Sequence, residues 1–308
     1  MVNSVDKKQK AKLTRVKLSR GDKAFMGLIY LFLIFMLVIV LYPLIFVVSA
    51  SFSDARMVTA GKVWLLPVKP TLMAYEAVFK NPRIVTSFLN SVFYMVFGTI
   101  INLILTVLAA YGLARKNVFG KTFLSGFFVF TMLFSGGLVP TYLLMSSLNL
   151  INTRWVLLLC SGLSVWNVIV TRTYYQVTLP EELHEAGMLD GCNEFMFLWK
   201  VALPLSGPIL AVMALYYGVG HWNSYFNAMI YIRNENLYPL QLILRSILVL
   251  GEMDTSMIKD ANVLLRMQGL AELLKYSVSV VSMVPLLIIY PFVQKYFIKG
   301  VMVGALKG

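Results

Sequence analysis

The sequence predicts an all-α integral membrane protein with six transmembrane helices and both termini in the cytoplasm. Its 308 residues are 59% hydrophobic and only 13% charged, whereas a soluble domain carries roughly a quarter charged residues. A soluble core cannot hide so much apolar surface from water, so lipid has to solvate much of the chain. Six apolar stretches approach the roughly 20 residues that a helix needs to cross a bilayer. They are residues 25–50, 90–113, 122–148, 155–175, 205–231 and 273–292.

The first of these stretches follows a cytoplasmic basic segment, residues 1–24. Eight basic side chains crowd there: Lys7, Lys8, Lys10, Lys12, Arg15, Lys17, Arg20 and Lys23. Beside a long apolar run, such a cluster is typical of a cytoplasmic anchor, so the net charge of +13 does not indicate a nucleic-acid partner. The run 25–50 is longer than the roughly 7–15 residues of a signal-peptide core, and we expect it to be retained as a first transmembrane helix.

The charges in the loops between the apolar stretches predict which loops are external and which are cytoplasmic. Long external loops count for little in the positive-inside rule, so the N-terminal cluster dominates. The external loops are then 51–89, 149–154 and 232–272, and a five-helix core covers 90–294. Within the last loop, residues 239–250 are apolar but too short to span, which predicts an external helix on or near the membrane surface. The cytoplasmic parts are the loop 177–204 and the tail 295–308. The segment after the second stretch is also cytoplasmic in this prediction. The basic residues of these three cytoplasmic segments are Arg115, Lys116, Lys121, Lys200, Lys295, Lys299 and Lys307.

No carboxylate lies within the six apolar stretches. Ion-coupled carriers usually keep an ionisable group in the membrane, so the sequence argues against a self-sufficient carrier or channel. The nearest match to a phosphate-binding loop begins with Arg115 where a glycine is required before Gly120, Lys121 and Thr122, and no strand precedes it. The two histidines, His184 and His221, stand apart in the sequence. We therefore expect no catalytic residue, metal or cofactor in this chain, and we expect the energy for transport to come from another subunit.

The cytoplasmic loop 177–204 carries the most specific pattern. Thr178 and Glu181 have the spacing of a capping box, and Pro180 suits a first helical turn. A helix that begins there places small residues on one face, which predicts that the helix is inserted into a groove of a partner. That face consists of Leu183, Ala186, Gly187, Asp190 and Gly191. The loop is also acidic, which indicates a basic partner surface; the carboxylates are Glu181, Glu182, Glu185, Asp190 and Glu194. Leu203 and Pro204 are expected to redirect the chain into the fifth span.

The same loop resembles the coupling loop of binding-protein-dependent ABC importer permeases. The family pattern is Glu-Ala-Ala, three residues, Gly, nine residues, then Ile-x-Leu-Pro. Here Glu185, Ala186 and Gly187 are followed after three residues by Gly191 and after nine more by Val-Ala-Leu-Pro at 201–204. The spacing matches throughout, and the two departures, Gly187 and Val201, preserve the size class. The resemblance implies a type I ABC importer permease fold. It also implies ATPase-coupling roles for Glu181, Glu182, Glu185, Ala186, Gly187, Asp190, Gly191, Leu203 and Pro204.

Within that family the chain resembles the carbohydrate importers related to the maltose system. Residues 222–231 and 238–242 resemble the subgroup for complex oligosaccharides, as does the tail 299–308. The resemblance implies a second homologous permease subunit, two ATPase subunits that bind ATP and Mg, and an external binding protein that delivers the sugar. It further implies a bacterial cytoplasmic membrane and contact of the tail with the ATPase dimer, through Gly300, Gly304, Lys307 and Gly308.

Polar and aromatic groups near the fifth span are candidates for the translocation path, since aromatic faces and amides suit sugars. They are His221, Trp222, Asn223, Tyr225 and Asn227. Tryptophan and tyrosine at span ends also serve as interfacial anchors, and membrane amides bridge helices, so both roles stay open for these residues. A permease of the same superfamily for amino acids, peptides or ions is the alternative function.

Overall fold

The computed structural model describes residues 19–116, 118–250 and 261–305, in which all regular structure is helical. The chain divides into two compact units, residues 1–70 and 71–308. The α-helices of the first unit are α1 (Arg20–Ser51) and α2 (Ala55–Thr59). Those of the second are α3 (Met73–Lys80), α4 (Pro82–Ala114), α5 (Lys121–Leu133), α6 (Leu138–Ser147), α7 (Arg154–Leu159), α8 (Val165–Thr178), α9 (Glu181–Leu189), α10 (Glu194–Phe197), α11 (Leu203–Leu205), α12 (Gly207–Trp222), α13 (Phe226–Tyr231), α14 (Leu240–Arg245) and α15 (Ala261–Ala305).

Helix α1 is the first predicted span, and it begins with a complete capping box. Ser19 accepts a hydrogen bond from the backbone of Asp22, whose side chain accepts one from the backbone of Ser19. Within this unit the helix is buried only at its end, at Ser49, Ala50 and Ser51. Its apolar side chains are exposed, as expected of a helix that faces lipid.

Three helical segments of the described residues are long and apolar enough to cross a membrane: Arg20–Ser51, Pro82–Ala114 and Gly269–Pro291. Two bent pairs raise that number to five if each pair is one span. The third predicted stretch is one of them, with a bend of 114° between α5 and α6, where Gly137 has a φ of 84°. The fourth, 155–175, is divided between α7 and α8. The count of six spans and the cytoplasmic position of the termini therefore remain predictions.

Helix α4 is central to the second unit, where it packs against α8 and α12. Asn81 caps it by accepting hydrogen bonds from the backbone of Arg83 and Ile84, and Pro82 occupies its first turn. Three apolar clusters surround α4. One contains Tyr111, Tyr175 and Phe197 at the end of the helix; the others are centred on Tyr94 and Tyr231 and on Trp222 and Leu240.

A short helix is present within 239–250, as predicted. Helix α14 continues as a π-helical turn, Ser246–Leu250, and packs against α4 and α15. Leu240 is fully buried, and its backbone donates a hydrogen bond to the Ser91 hydroxyl at 2.7 Å. The apolar side chains Leu240, Leu242 and Ile243 of this helix are buried against protein, and its expected position on or near the membrane surface stays a prediction.

Candidate functional site

The loop 177–204 folds as a helical hairpin in which α9 is followed by a tight turn and α10. Helix α9 begins at Glu181 with Pro180 as its N-cap residue. The expected capping box is wrong, because Thr178 is the last residue of α8 and α9 has no side-chain cap. Helix α9 ends at Leu189 with Asp190 as its C-cap residue, and the next residue, Gly191, has a φ of 85° that is favourable for glycine and costly for most other residues.

Most of the face expected on α9 is exposed: Leu183, Ala186, Asp190 and Gly191 are exposed, and Gly187 is half-buried. The exposed residues also include Glu182, Glu185 and Leu189, which together with Ala186 have the spacing i, i+3, i+4 and i+7 of a single helical stripe. Leu189 is 90% exposed. We call this stripe, together with Asp190, the coupling surface. Among the described residues, Glu182, Glu185 and Asp190 form no ion pair, so their charges face outward.

Gly187 turns inward, away from the coupling surface. A Cβ atom at this position would lie 2.8 Å from Cδ2 of Phe197, which is closer than carbon atoms approach in packed proteins. Phe197 is fully buried, and its ring meets the imidazole of His184 edge to face at 5.1 Å. The small side chain at 187 is therefore explained by packing within this chain, whereas Ala186 faces solvent.

Glu194 joins the hairpin to the end of α4. Its Oε2 accepts a hydrogen bond from the Tyr111 hydroxyl at 2.7 Å and lies 3.7 Å from Nε of Arg115. Its Oε1 accepts a hydrogen bond from Nε2 of His184 at 2.9 Å. Since an ionised carboxylate only accepts, Nε2 of His184 carries a proton. We call these four residues the Glu194 hub.

A second ionic contact lies at the start of α9, where Oε2 of Glu181 is 3.9 Å from Nζ of Lys116. Glu181 and Glu194, which the sequence analysis assigned to a partner, are thus engaged within the chain. The supporting role of Tyr111 and Phe197 had no signal in the sequence, because their contacts join segments far apart in the chain. Arg115 had been noticed only as a topology charge.

The redirection toward α12 lies two residues beyond the expected position. Leu203 and Pro204 belong to α11, directly after the π-helical turn Leu198–Ala202. The segments Glu194–Leu205 and Gly207–Trp222 meet at 81°. The bend is at Ser206, whose hydroxyl donates a hydrogen bond to the carbonyl of Ala202. Pro204 fits early in a helix because an early helical position needs no N–H donor.

The five candidates for the translocation path have different environments. His221 and Trp222 are buried, Asn227 is half-buried, and Asn223 and Tyr225 are exposed. Nε2 of His221 donates to Oδ1 of Asn102 at 2.6 Å, and Nδ2 of Asn102 donates to the carbonyl of Ser161 at 2.5 Å. Nε1 of Trp222 donates to the carbonyl of Ser282 at 2.9 Å, so the first two candidates join helices in this structure. Among the described residues, no group of three or more His, Cys, Asp or Glu side chains is arranged to hold a metal ion.

The tail candidates lie at the end of α15 or beyond it. Gly300 and Gly304 belong to its last turns, so the predicted tail begins as a continuation of the helix. Lys307 and Gly308 lie outside the described residues, as does the basic segment 1–18.

Comparison with known proteins found no matching family model but several similar curated proteins. The chain is 38% identical to Protein LplC of Bacillus subtilis over 271 residues, covering 88% of this chain and 90% of that protein. It is 37% identical over 290 residues to the polygalacturonan/rhamnogalacturonan transport system permease protein YtcP of the same species, covering 93% of this chain and 99% of that protein. An arabinooligosaccharides transport system permease protein of Halalkalibacterium halodurans, AraQ, is 29% identical over 89% of this chain and 94% of that protein.

A solved structure is similar over nearly the whole chain. It is a chain from the crystal structure of a bacterial ABC transporter involved in the import of the acidic polysaccharide alginate. The TM-score is 0.86 at 34% sequence identity, covering 92% of this chain and all of the other.

Proposed function

This chain belongs to the permease subunits of carbohydrate ABC transporters, and we propose that its coupling surface is where an ATPase subunit drives the import of an oligosaccharide. The chain forms part of a multi-pass membrane channel and is not itself the enzyme. In the proposed assembly it pairs with a second homologous permease in a bacterial cytoplasmic membrane. Two ATPase subunits bind ATP and Mg, and an external binding protein delivers the sugar.

The observation that carries this proposal is the exposed face of α9. An apolar Leu189 that is 90% exposed is costly to leave in water, and a desolvated apolar anchor is typical of the centre of a protein interface. The unpaired carboxylates beside it favour a basic partner and fix its orientation. This chemistry fits insertion of α9 into a groove of an ATPase subunit.

The Glu194 hub connects α9 to the helices that cross the membrane in the proposed assembly. It joins α9 and α10 to the end of α4, and α4 packs along α8 and α12. The hairpin is also continuous with α12 through the π-helical turn and α11. In the proposed mechanism, closure of the ATPase dimer displaces α9, and the hub moves the spans with it. The binding protein favours one of the two states, since a ligand shifts an equilibrium only through differential affinity.

For the sugar path, the proposal retains Asn223 and Tyr225, whose side chains are exposed. Their amide and aromatic groups suit the hydroxyls and the C–H faces of a carbohydrate. His221, Trp222 and Asn227 line the path only if the helices separate during transport. The tail after α15 is proposed as a second contact with the ATPase, which includes Gly300, Gly304, Lys307 and Gly308.

The proposal is tested by uptake into proteoliposomes that contain this chain, its partner permease and the ATPase, supplied with the binding protein and a labelled oligosaccharide. Leu189→Asp removes an apolar anchor without disturbing packing inside the chain. We expect ATP-dependent uptake to fall by at least about 30-fold, the effect of an interface residue worth about 2 kcal/mol. The volume-conserving Leu189→Met is the matched control and should retain most of the uptake. Normal uptake by the folded Leu189→Asp variant would show that the coupling surface is placed wrongly.

A further inference from the structure

A polar pocket lies behind the coupling surface, where the ends of α4 and α8 meet the starts of α5 and α9. Its volume is about 340 Å³. Three cationic residues line it, Arg115, Lys116 and Lys121, and the two carboxylates in its wall are those of Glu181 and Glu182. Tyr111 and Arg115 of the Glu194 hub and Glu182 of the coupling surface also line this pocket, but the function proposed above assigns no ligand to it.

The cations exceed the carboxylates that can neutralise them. Lys116 lies 3.9 Å from Glu181, an ion pair that is long and exposed on the lysine side. Nζ of Lys121 donates to the backbone carbonyls of Arg115 at 2.7 Å and Ala114 at 3.4 Å. An ammonium group has three protons to donate and keeps its full charge when it bonds to carbonyls. Arg172 and Lys116 add their positive potential at Lys121.

Two of the residues that line the pocket have unused donors. The side chain of Arg115 is only 11% exposed, and its guanidinium lies over the rings of Tyr111 and Phe197 at 5.4 and 5.5 Å. Within the described part of the chain, its Nη2 has no hydrogen-bond partner, and the buried hydroxyl of Tyr175 makes no well-aligned hydrogen bond. Leaving a buried donor without a partner is unfavourable, and an anion in the pocket would offset that cost.

The start of α9 contributes to the same potential. The pocket wall includes Pro180 and Glu181, and the helix has no side-chain cap. Its first backbone N–H groups therefore add partial positive charge at the pocket. Positive side chains and helix N–H groups together favour a group with several acceptor oxygens.

We propose that this pocket binds a phosphate group and thereby steadies the start of α9. Basic pockets between transmembrane helices on the cytoplasmic side are suited to phospholipid head groups. The pocket lies at the predicted cytoplasmic ends of the second and fourth spans. Free inorganic phosphate has the same chemistry and is the other source.

The experiment is a titration of the purified, delipidated transporter that contains the full-length chain, followed by native mass spectrometry. The probes are phosphatidylglycerol, phosphatidylcholine and inorganic phosphate. The pocket variant is Lys116→Gln with Lys121→Gln, and the control is Lys80→Gln, an exposed lysine on α3 paired only with Glu76 among the described residues. We expect the pocket variant to bind phosphatidylglycerol about 30-fold more weakly, from about 1 kcal/mol per lysine. The control should bind it as the unaltered chain does.

A third variant separates loss of the site from loss of the fold. Glu181→Gln removes a negative charge from the pocket wall and should tighten binding of phosphatidylglycerol about fivefold. A misfolded variant would not bind phosphatidylglycerol more tightly than the unaltered chain. If inorganic phosphate binds with the same dependence on these variants and phosphatidylglycerol does not, the phosphate site stands and its source is the cytoplasm. Equal binding of the two lipids, binding of neither anion, or equal affinities in the pocket variant and the control would overturn the proposal.

Discussion

In two regions of the second unit, a glycine packs directly against the ring of a buried side chain, but the surroundings of the two pairs differ. In the hairpin of α9 and α10 the Phe197 ring lies against Gly187. Between the spans, the His221 ring lies against Gly98, where a Cβ would fall 2.7 Å from Cδ2 of the imidazole. Both glycines let two helical segments approach more closely than any larger residue allows.

The polar groups beside the two rings differ, because one group is exposed and the other is buried. Glu194, beside the first ring, is a carboxylate that is 58% exposed and is paired with cationic and hydroxyl groups. Asn102, beside the second, is a fully buried amide that bonds to His221 and to a backbone carbonyl. A charge is tolerated where water reaches it, whereas a neutral amide avoids the desolvation cost of a charge inside the membrane. Charged contacts hold the hairpin of α9 and α10, and neutral contacts hold α4 against α12.

The largest expected effect is at Gly98. Gly98→Ala should lower the free energy of unfolding by about 3 kcal/mol, because the buried imidazole has no room to move away from the new methyl group. Gly112, in the same helix, has no atom within 4 Å of the place for a Cβ. Gly112→Ala should therefore leave stability unchanged or raise it by up to about 1 kcal/mol. SDS titration of the purified full-length chain measures both, and equal effects would show that the ring does not constrain Gly98.

A smaller effect is expected at Gly187. Gly187→Ala should destabilise the chain by about 1 kcal/mol, since the clash with Phe197 is partly offset by the better helix propensity of alanine. In the Phe197→Leu background, Gly187→Ala should cost less than it does beside phenylalanine, because the smaller side chain leaves space for the methyl group. The same SDS titration, run on the single and double variants, measures the coupling. Additive losses would contradict direct packing between residues 187 and 197.

The smallest effect on stability is expected at Glu194. Glu194→Gln keeps an acceptor for the Tyr111 hydroxyl and loses the charge and the second acceptor oxygen, so the change should be about 0.5 kcal/mol or less for so exposed a group. Its effect on transport should be larger, because the link between α9 and α4 weakens. Measuring both the free energy of unfolding and the rate of ATP-dependent uptake of the variant tests this. A large loss of stability with normal uptake would show that Glu194 stabilises the fold and does not link α9 to α4 during transport.

Much of the architecture was predictable because lipid imposes a strong pattern. The apolar stretches around α1, α4 and the Gly269–Pro291 segment of α15 correspond to long helices. The breaks were harder to see, since the residues between α7 and α8, Cys-Ser-Gly-Leu-Ser at 160–164, lie within a long apolar stretch and their irregular backbone is stabilised by contacts from other helices. One such contact is the hydrogen bond from Asn102 to Ser161.

At the site, spacing located the hairpin but could not decide which small residue faced outward. Gly187 and Ala186 are adjacent and similar in the sequence, and only the position of Phe197, ten residues later, separates their roles. The same limit applied to Glu194, whose partners Tyr111 and Arg115 lie about 80 residues earlier in the chain. Long-range pairs of this kind leave no periodic signal in a single sequence.

Site-specific crosslinking tests the central claim, that α9 is seated in an ATPase subunit, most directly. Cys160 and Cys192 are replaced by serine in the assembled transporter, and a single cysteine is introduced as Leu189→Cys or, as a control on exposed α3, Lys80→Cys. The account predicts that a short cysteine-to-lysine crosslinker joins residue 189 to the ATPase subunit and that residue 80 forms no such product. Absence of the product at residue 189 in a transporter that still imports sugar would contradict it.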